Sequence, residues 1–333
     1  GTGDLSGWGE ERWAVRCGDS SPRFLVSVAS AMAAQQTRCG TIVLAGEPNA
    51  GKSTLLNALV GTRLAITSAK PQSTRQRVIG IRTEGSSQIV FVDPPGLLEP
   101  HYLLQETMLD EAIAVLTSAD AILHLHRAAD APAPPLEQLV PPGCLRGQPI
   151  ATVYTAVDTI ARHRRPDAST SVFPVGFLTA ERTSHEHSTG TEPLLAWCRA
   201  QLPQAPFRHD PDDLSTQPVR FFVTEFIREV ALEVLHEELP YSLAAQVDEF
   251  RESSDPVYIR VTLFVERESQ KGMVIGAGGR VLKQIGAGAR ARIEALLGSA
   301  VYLDLWVKVL PRWRKSSELL RELGFCPPPQ RSS

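Results

Sequence analysis

A chain of 333 residues, 43% hydrophobic and 21% charged, can bury the cores of two ordinary domains and is not disordered as a whole. It holds no uncharged apolar run of about 18 residues, which argues against a membrane-spanning helix. The five cysteines (Cys17, Cys39, Cys144, Cys198, Cys326) are scattered without C-x-x-C spacing, which argues against a zinc centre or a disulfide framework and fits a reducing compartment. The net charge of -3 conceals a segment from Arg267 to Lys315 with ten basic residues against three acidic ones. Such a block is either a solvated basic face or a surface meant for a polyanion.

In chain order, residues 1–38 are rich in Gly and Ser and lack periodicity. Asp4, Glu10, Glu11 and Asp19 argue against an organellar transit peptide. This stretch is expected to be an extension without a fold, the functional chain opening near Met32. From Thr41 the pattern is α/β. A short buried strand, Ile42–Ala45, runs into a Gly-rich turn and a helix from about Lys52 to Val60. Val78–Arg82 and Gln88–Val92 read as a strand pair across a turn at Glu84–Ser87. A helix is predicted over Leu103–Leu116, strands at Ala121–Leu125 and Ile150–Tyr154, and a closing helix over Glu192–Leu202. Residues 128–147 are Pro-rich and read as irregular. Alternation of this kind predicts a mainly parallel sheet covered on both faces, over residues 39–203.

Residues 204–218 read as a linker. A helix over Glu225–Leu235 follows. Val257, Ile259, Val261, Leu263 and Val265 then alternate along one strand, and Val301, Leu303, Leu305, Val307 and Val309 along another. A Gly-containing turn between helical segments separates them. This second domain spans 219–325, and residues 326–333 are expected to be a disordered tail.

Gly46-Glu47-Pro48-Asn49-Ala50-Gly51-Lys52-Ser53 matches G-x-x-x-x-G-K-[ST] in full. Glycines let successive backbone N–H groups turn inward onto phosphate oxygens, and the helix that follows aims its positive end at the same anion. Lys52 reaches the outer phosphates and Ser53 offers its hydroxyl to Mg²⁺. Asp93-Pro94-Pro95-Gly96 ends an apolar strand, placing Asp93 to hold Mg²⁺ through water and Gly96 to donate its N–H to the terminal phosphate. Thr74 is the natural second hydroxyl ligand.

The runs Ala50-Gly51-Lys52-Ser53-Thr54-Leu55-Leu56-Asn57, Pro71-Gln72-Ser73-Thr74-Arg75-Gln76-Arg77 and Asp93-Pro94-Pro95-Gly96 resemble the Era family of translation-associated GTPases. The resemblance implies GTP/GDP and Mg²⁺ as cofactors. Many GTPases place Gln after D-x-x-G, whereas this chain has Leu97, as the Era family has an apolar residue there. Catalysis would then rest on Lys52, Thr74, Gly96 and Mg²⁺. The usual guanine motif N-K-x-D departs here to Thr155-Ala156-Val157-Asp158. Asp158 is placed to accept from the guanine edge, while Thr155 and Ala156 replace the Asn and the Lys. The next base-contacting loop has two candidates, Gly176-Phe177 and Thr179-Ala180. Two readings stay open: drift or a sequence error between about His124 and Gly190, or a real loss of guanine selectivity.

Ile275-Gly276-Ala277-Gly278-Gly279-Arg280, with Lys283, has the form of a KH loop, which clamps about four single-stranded nucleotides against a glycine backbone. Arg280 and Lys283 supply charge, and Ile275 would pack under the bases. His209-Asp210-Pro211-Asp212-Asp213-Leu214-Ser215, Phe221–Arg228, Glu238-Leu239-Pro240-Tyr241-Ser242, Val265–Gly272 and Leu305–Val309 are similar to the Era carboxyl-terminal half. The resemblance covers about Ile42–Phe325. It implies an α/β P-loop NTPase domain followed by an α+β type II KH domain. It further implies a cytoplasmic factor that binds small-subunit ribosomal RNA near its 3′ end on the 30S subunit, with a peripheral membrane association. A monomer is expected. The competing readings are an RNA-binding assembly factor whose G domain holds nucleotide weakly or without selectivity, and an ATPase. His124/His126 and His185-Glu186-His187 lack a third ligand at useful spacing, so they read as core and loop residues.

Overall fold

The computed structural model describes residues 37–68, 70, 72–177 and 188–328. The expected extension up to residue 36, Pro71, Thr179-Ala180, His185-Glu186-His187 and the tail from Pro329 lie outside the described residues.

The first domain contains β1 (Arg38–Ala45), α1 (Lys52–Val60), β2 (Val78–Glu84), β3 (Ser87–Asp93), α2 (Leu103–Thr117), β4 (Ala121–Arg127), β5 (Ile150–Thr155), β6 (Val172–Pro174), the short pair β7 (Gly176–Phe177) and β8 (Ser188–Thr189), and α3 (Thr191–Gln201). The main sheet has the order β2-β3-β1-β4-β5-β6, parallel except for β2 against β3. Ile42, Val43 and Leu44 form an unbroken apolar run because both faces of β1 are covered. Leu55, Leu56 and Leu59 of α1, with Leu194 and Leu195 of α3, cover one face. Ala112, Val115 and Leu116 of α2 cover the other. Each fully buried leucine contributes on the order of 1.5–3 kcal/mol. β4 runs two residues past the predicted end, because its ladder with β5 continues to Arg127 opposite Thr155.

The second domain contains α4 (Val219–Val234), β9 (Ala244–Arg251), β10 (Val257–Val265), α5 (Glu268–Ile275), α6 (Arg280–Leu297), β11 (Val301–Val309) and α7 (Ser317–Glu322). Its sheet has the order β11-β10-β9, with β10 parallel to β11 and antiparallel to β9. Ile259, Val261, Leu263 and Val265 are buried against Phe226, Val230, Ile285, Ala289 and Ile293, so the predicted alternation faces α4 and α6. α4 begins six residues before the predicted Glu225, because Phe222, Val223 and Phe226 already lie on its buried face. β9 was not predicted: Asp248, Glu249 and Arg251 interrupt its apolar pattern, and a register shift opposite Arg260/Val261 breaks its period.

Residues 204–218, which join the two domains, also form a strap along the sheet edge. Ile81 N–H donates to Leu214 O (2.8 Å), Ile79 N–H to Gln217 Oε1 (2.9 Å), and Ser215 Oγ donates to Ile79 O (2.6 Å). Buried Gln88 accepts from the N–H groups of Arg208 and His209 and donates to His209 O. The strap thus caps the open edge of β2.

Candidate nucleotide site and nucleic-acid interface

β1 ends at Ala45 and the chain turns through residues 46–51 into α1, with Gly51 at the left-handed φ of 89° as N-cap. The unpaired N–H groups of the first helical turn face this loop. Lys52 is buried, and its Nζ donates to Gly46 O (3.2 Å) and Glu47 O (2.9 Å), which hold the ammonium inside the loop. Burial lowers its pKa, while the Asp93 and Glu47 carboxylates oppose that shift.

Ser53, Thr74 and Asp93 converge on one point. Ser53 Oγ donates to Asp93 Oδ2 (2.6 Å) and lies 3.0 Å from Thr74 Oγ1. Asp93 is fully buried, and its Oδ1 has no hydrogen-bond partner. Burial pushes this carboxyl up to about 6, against the pull of Lys52 and the Ser53 hydrogen bond. Oxygen donors clustered around an orphaned carboxylate oxygen fit a small hard cation, so Ser53, Thr74 and Asp93 would hold Mg²⁺ there. Gly96 packs against the loop: a Cβ on it would come 2.9 Å from Pro48 N, so only glycine brings this N–H so close. Leu97 is buried with Val43 and Val92, and its N–H donates to Gly46 O (3.2 Å). Its side chain faces the core and cannot act on water.

These residues open on a cleft of about 570 Å³, within the range of small-molecule sites. Residues 48, 49 and 51–54 line it, together with Thr67, Ser68 and 72–74. Arg127, Thr155, Ala156 and Thr159 also line it. Thr155 is buried and its Oγ1 donates to Ala50 O (2.8 Å), tying β5 to the phosphate loop. That hydroxyl is committed to the loop. Ala156 stands at φ 56°, and Asp158 is exposed on the 3-10 turn Val157–Thr159. Of the two candidates for the next base loop, Gly176-Phe177 pairs with Ser188-Thr189, and Thr179-Ala180 is outside the described residues. Thr155→Asn with Ala156→Lys should therefore tighten GTP relative to ATP by about tenfold or more, the regained asparagine contact with the base contributing on the order of 1–3 kcal/mol of preference while the lysine tightens both nucleotides. Calorimetric titration of both nucleotides checks this; a parent that already prefers GTP strongly would refute it.

The segment carrying Thr74 is held by the second domain. On one side, Arg228 Nη2 of α4 donates to Ser73 O (2.8 Å). On the other, buried Arg75 donates to Leu243 O (2.7 Å), Tyr241 O (2.9 Å) and Pro240 O (3.2 Å), and its guanidinium lies 5.8 Å from the centre of the Trp313 ring. Burial, reinforced by the nearby Arg228 cation, lowers the Arg75 pKa to about 9. Fully buried Glu229 of α4 accepts from Arg63 (2.7 Å) and from Thr67 N–H (2.9 Å), and Arg292 of α6 lies 3.4 Å from its other oxygen. Lys70 Nζ donates to Leu235 O (2.5 Å) and Leu232 O. Sequence reasoning missed these residues. Arg75 sits inside a quoted motif, but nothing local says that it crosses to another domain.

The other predicted site lies between α5 and α6. Ala277, Gly278, Arg280 and Lys283 are exposed, and Ile275 is half-buried against the domain core. Gly276 adopts φ 72°, and a Cβ there would lie 2.5 Å from Val281 Cγ2, so the turn requires glycine. Gly279, at φ 80°, is the N-cap of α6, whose free N–H groups open beside Arg280.

A phosphate loop at a strand–helix junction with the oxygens of Ser53, Thr74 and Asp93 converging beside it, followed by an αββααβ domain with a G-x-x-G turn, defines a P-loop GTPase carrying a KH domain. The model for 50S ribosome-binding GTPases matches residues 41–153, and a KH domain model matches residues 238–314. The chain belongs to the GTPase Era family. It is 37% identical to GTPase Era of Carboxydothermus hydrogenoformans over 296 residues, covering 86% of this chain and 98% of that one. It is 38% identical to that of Geotalea uraniireducens over 299 residues, covering 88% and 100%. Among solved structures, an Aquifex aeolicus Era variant bound to GDP·AlF4⁻ matches with a TM-score of 0.77 at 30% identity, over 86% of this chain and 99% of that one. Era in complex with MgGDPNP and nucleotides 1506–1542 of 16S ribosomal RNA matches with the same score, identity and coverage. The protein is a GTPase, and the reading as an RNA-binding factor with a spent G domain is not favoured.

Proposed function

We propose that this GTPase binds the 3′ region of small-subunit ribosomal RNA through its Gly276–Gly279 loop and serves 16S rRNA processing and 30S subunit assembly. GTP is held by residues 46–54 with Mg²⁺ on Ser53, Thr74 and Asp93. Lys52 and the Gly96 N–H stabilise the charge that develops on the terminal phosphate, and Mg²⁺ when bound neutralises its oxygens. It works in the cytoplasm as a monomer, and any membrane association is peripheral. Among the described residues no helix is long and apolar enough to cross a membrane. The exposed glycine turn with Arg280 and Lys283 beside it carries the RNA reading, and the rRNA-bound Era relative supports it.

Replacing Ala277 and Gly278 by two aspartates tests it. Both positions are exposed, and no atom lies within 4 Å of a Cβ built on Gly278. The φ of 61° at Gly278 adds a local strain of about 1 kcal/mol, small enough for the fold to survive. Affinity for a single-stranded 3′-end rRNA oligonucleotide should fall by about tenfold or more. The salt slope should drop by about 0.7 for each phosphate that the loop no longer neutralises. A folded variant, checked by circular dichroism, with unchanged affinity and slope would make the loop a structural turn.

A further inference from the structure

We propose that Arg127 covers the face of the nucleotide base, taking the place of the lysine that the Thr155-Ala156-Val157-Asp158 turn lacks. This inference rests on the guanine-nucleotide reading of the cleft and names a residue that the motif does not contain.

Three features place Arg127 there. It is the last residue of β4 and pairs in register with Thr155, the last residue of β5. Adjacent strands lie about 4.8 Å apart, so a side chain as long as arginine reaches past Thr155 to the space above Ala156. It lines the cleft together with Thr155, Ala156 and Thr159. Finally, among the described residues that line the cleft, Lys52 and Arg127 are the two charged ones. Lys52 belongs to the phosphate end, because it sits in the loop at the start of α1. Arg127 is therefore the cation that the described residues bring beside the Thr155–Asp158 turn.

Its state fits the role. Arg127 is exposed, and its guanidinium makes no hydrogen bond or ion pair among the described residues. A structural arginine at a strand end would be tied to a carboxylate or to carbonyls, as Arg75 is to Pro240, Tyr241 and Leu243. A planar guanidinium is suited to lie over an aromatic ring, where it is attracted by the π-face without a specific edge contact. The two tasks of the usual Asn-Lys pair are thus divided. Thr155 keeps the tie to the phosphate loop through Ala50 O, and the cation has moved from the turn after β5 to the end of β4. Cover from the ring face does not discriminate between purines, so Arg127 supplies affinity while Asp158 is left to read the guanine edge.

The test is calorimetry on the full chain with GDP and with IDP, which keeps the purine ring and lacks the exocyclic amine. Arg127→Ala should weaken both by the same factor, about threefold to thirtyfold, with the GDP-to-IDP ratio and the nucleotide-free melting temperature unchanged. Adding Ala156→Lys to Arg127→Ala should restore most of the affinity. Ala156 already holds φ 56°, so lysine adds no new backbone strain there. Unchanged binding by Arg127→Ala, or a loss confined to GDP, would overturn the proposal. Failure of the guanine reading itself would show separately, as a parent protein that binds GDP and IDP equally.

Discussion

Lys52→Ala should weaken nucleotide binding by a factor of roughly 10² to 10⁴. The ammonium is buried within the phosphate loop and bonded at 3.2 and 2.9 Å to loop carbonyls, so its donors are already oriented. Each charge-assisted hydrogen bond to a phosphate is worth about 1.5–3 kcal/mol. Two such bonds correspond to a loss of roughly 10² to 10⁴ in affinity. Removing a cation beside buried Asp93, whose pKa the Lys52 charge holds down, should also favour the protonated carboxyl and weaken Mg²⁺ binding. Binding of a labelled GDP with and without Mg²⁺ checks the result. Retention of affinity within tenfold would mean that the loop backbone alone carries the phosphates.

Arg75→Ala should weaken Mg²⁺–GTP much more than GDP, although the side chain belongs to the interface with the KH domain. It should also lower stability by about 2–4 kcal/mol, because buried carbonyls of residues 240–243 lose their donor. Arg75 and Arg228 fix the backbone on both sides of Thr74 and so hold its hydroxyl 3.0 Å from Ser53. A freed segment would have to order on each binding event, and about tenfold weaker Mg²⁺–GTP affinity follows from even 1.4 kcal/mol of ordering. A double-mutant cycle separates this from general destabilisation. In a Thr74→Ala background, Arg75→Ala should cause little further loss of Mg²⁺–GTP affinity, because the ligand it positions is gone. Full additivity at equal folded fraction would show that Arg75 only stabilises the fold. Arg75→Lys should recover part of the effect, since it keeps the charge without the fork that reaches separate carbonyls.

Much of the site was legible in the chain because its chemistry is local. A phosphate loop is a backbone shape, and residues 46–53 specify that shape by glycines at fixed spacing between a strand and a helix. Asp93 and Gly96 follow at the end of β3, the neighbour of β1 in the sheet, and parallel strands end on the same side. The G-x-x-G turn is equally local. Alternation in β10 and β11 announced a half-buried sheet, since every second residue meets α4 or α6. The same logic explains the missed β9: with charges on its open face and a register break, its period of two is blurred.

How the two halves are joined depends on contacts far apart along the chain. Residues 204–218 carry the composition of a loose connector. They are fixed because β2 is an edge strand whose N–H groups need partners, and Leu214 O and Gln217 Oε1 meet them. Glu229 is fully buried on a helix, a position that sequence pattern reserves for apolar residues; Arg63 and Thr67, more than 160 positions earlier, satisfy its charge. Arg127 likewise gains meaning from its register opposite Thr155. The order of residues sets which chemical groups are present and the local turns that present them. The folded chain determined their partners, because buried charges and open strand edges are satisfied by whatever group the packing brings within hydrogen-bond distance, irrespective of separation along the chain.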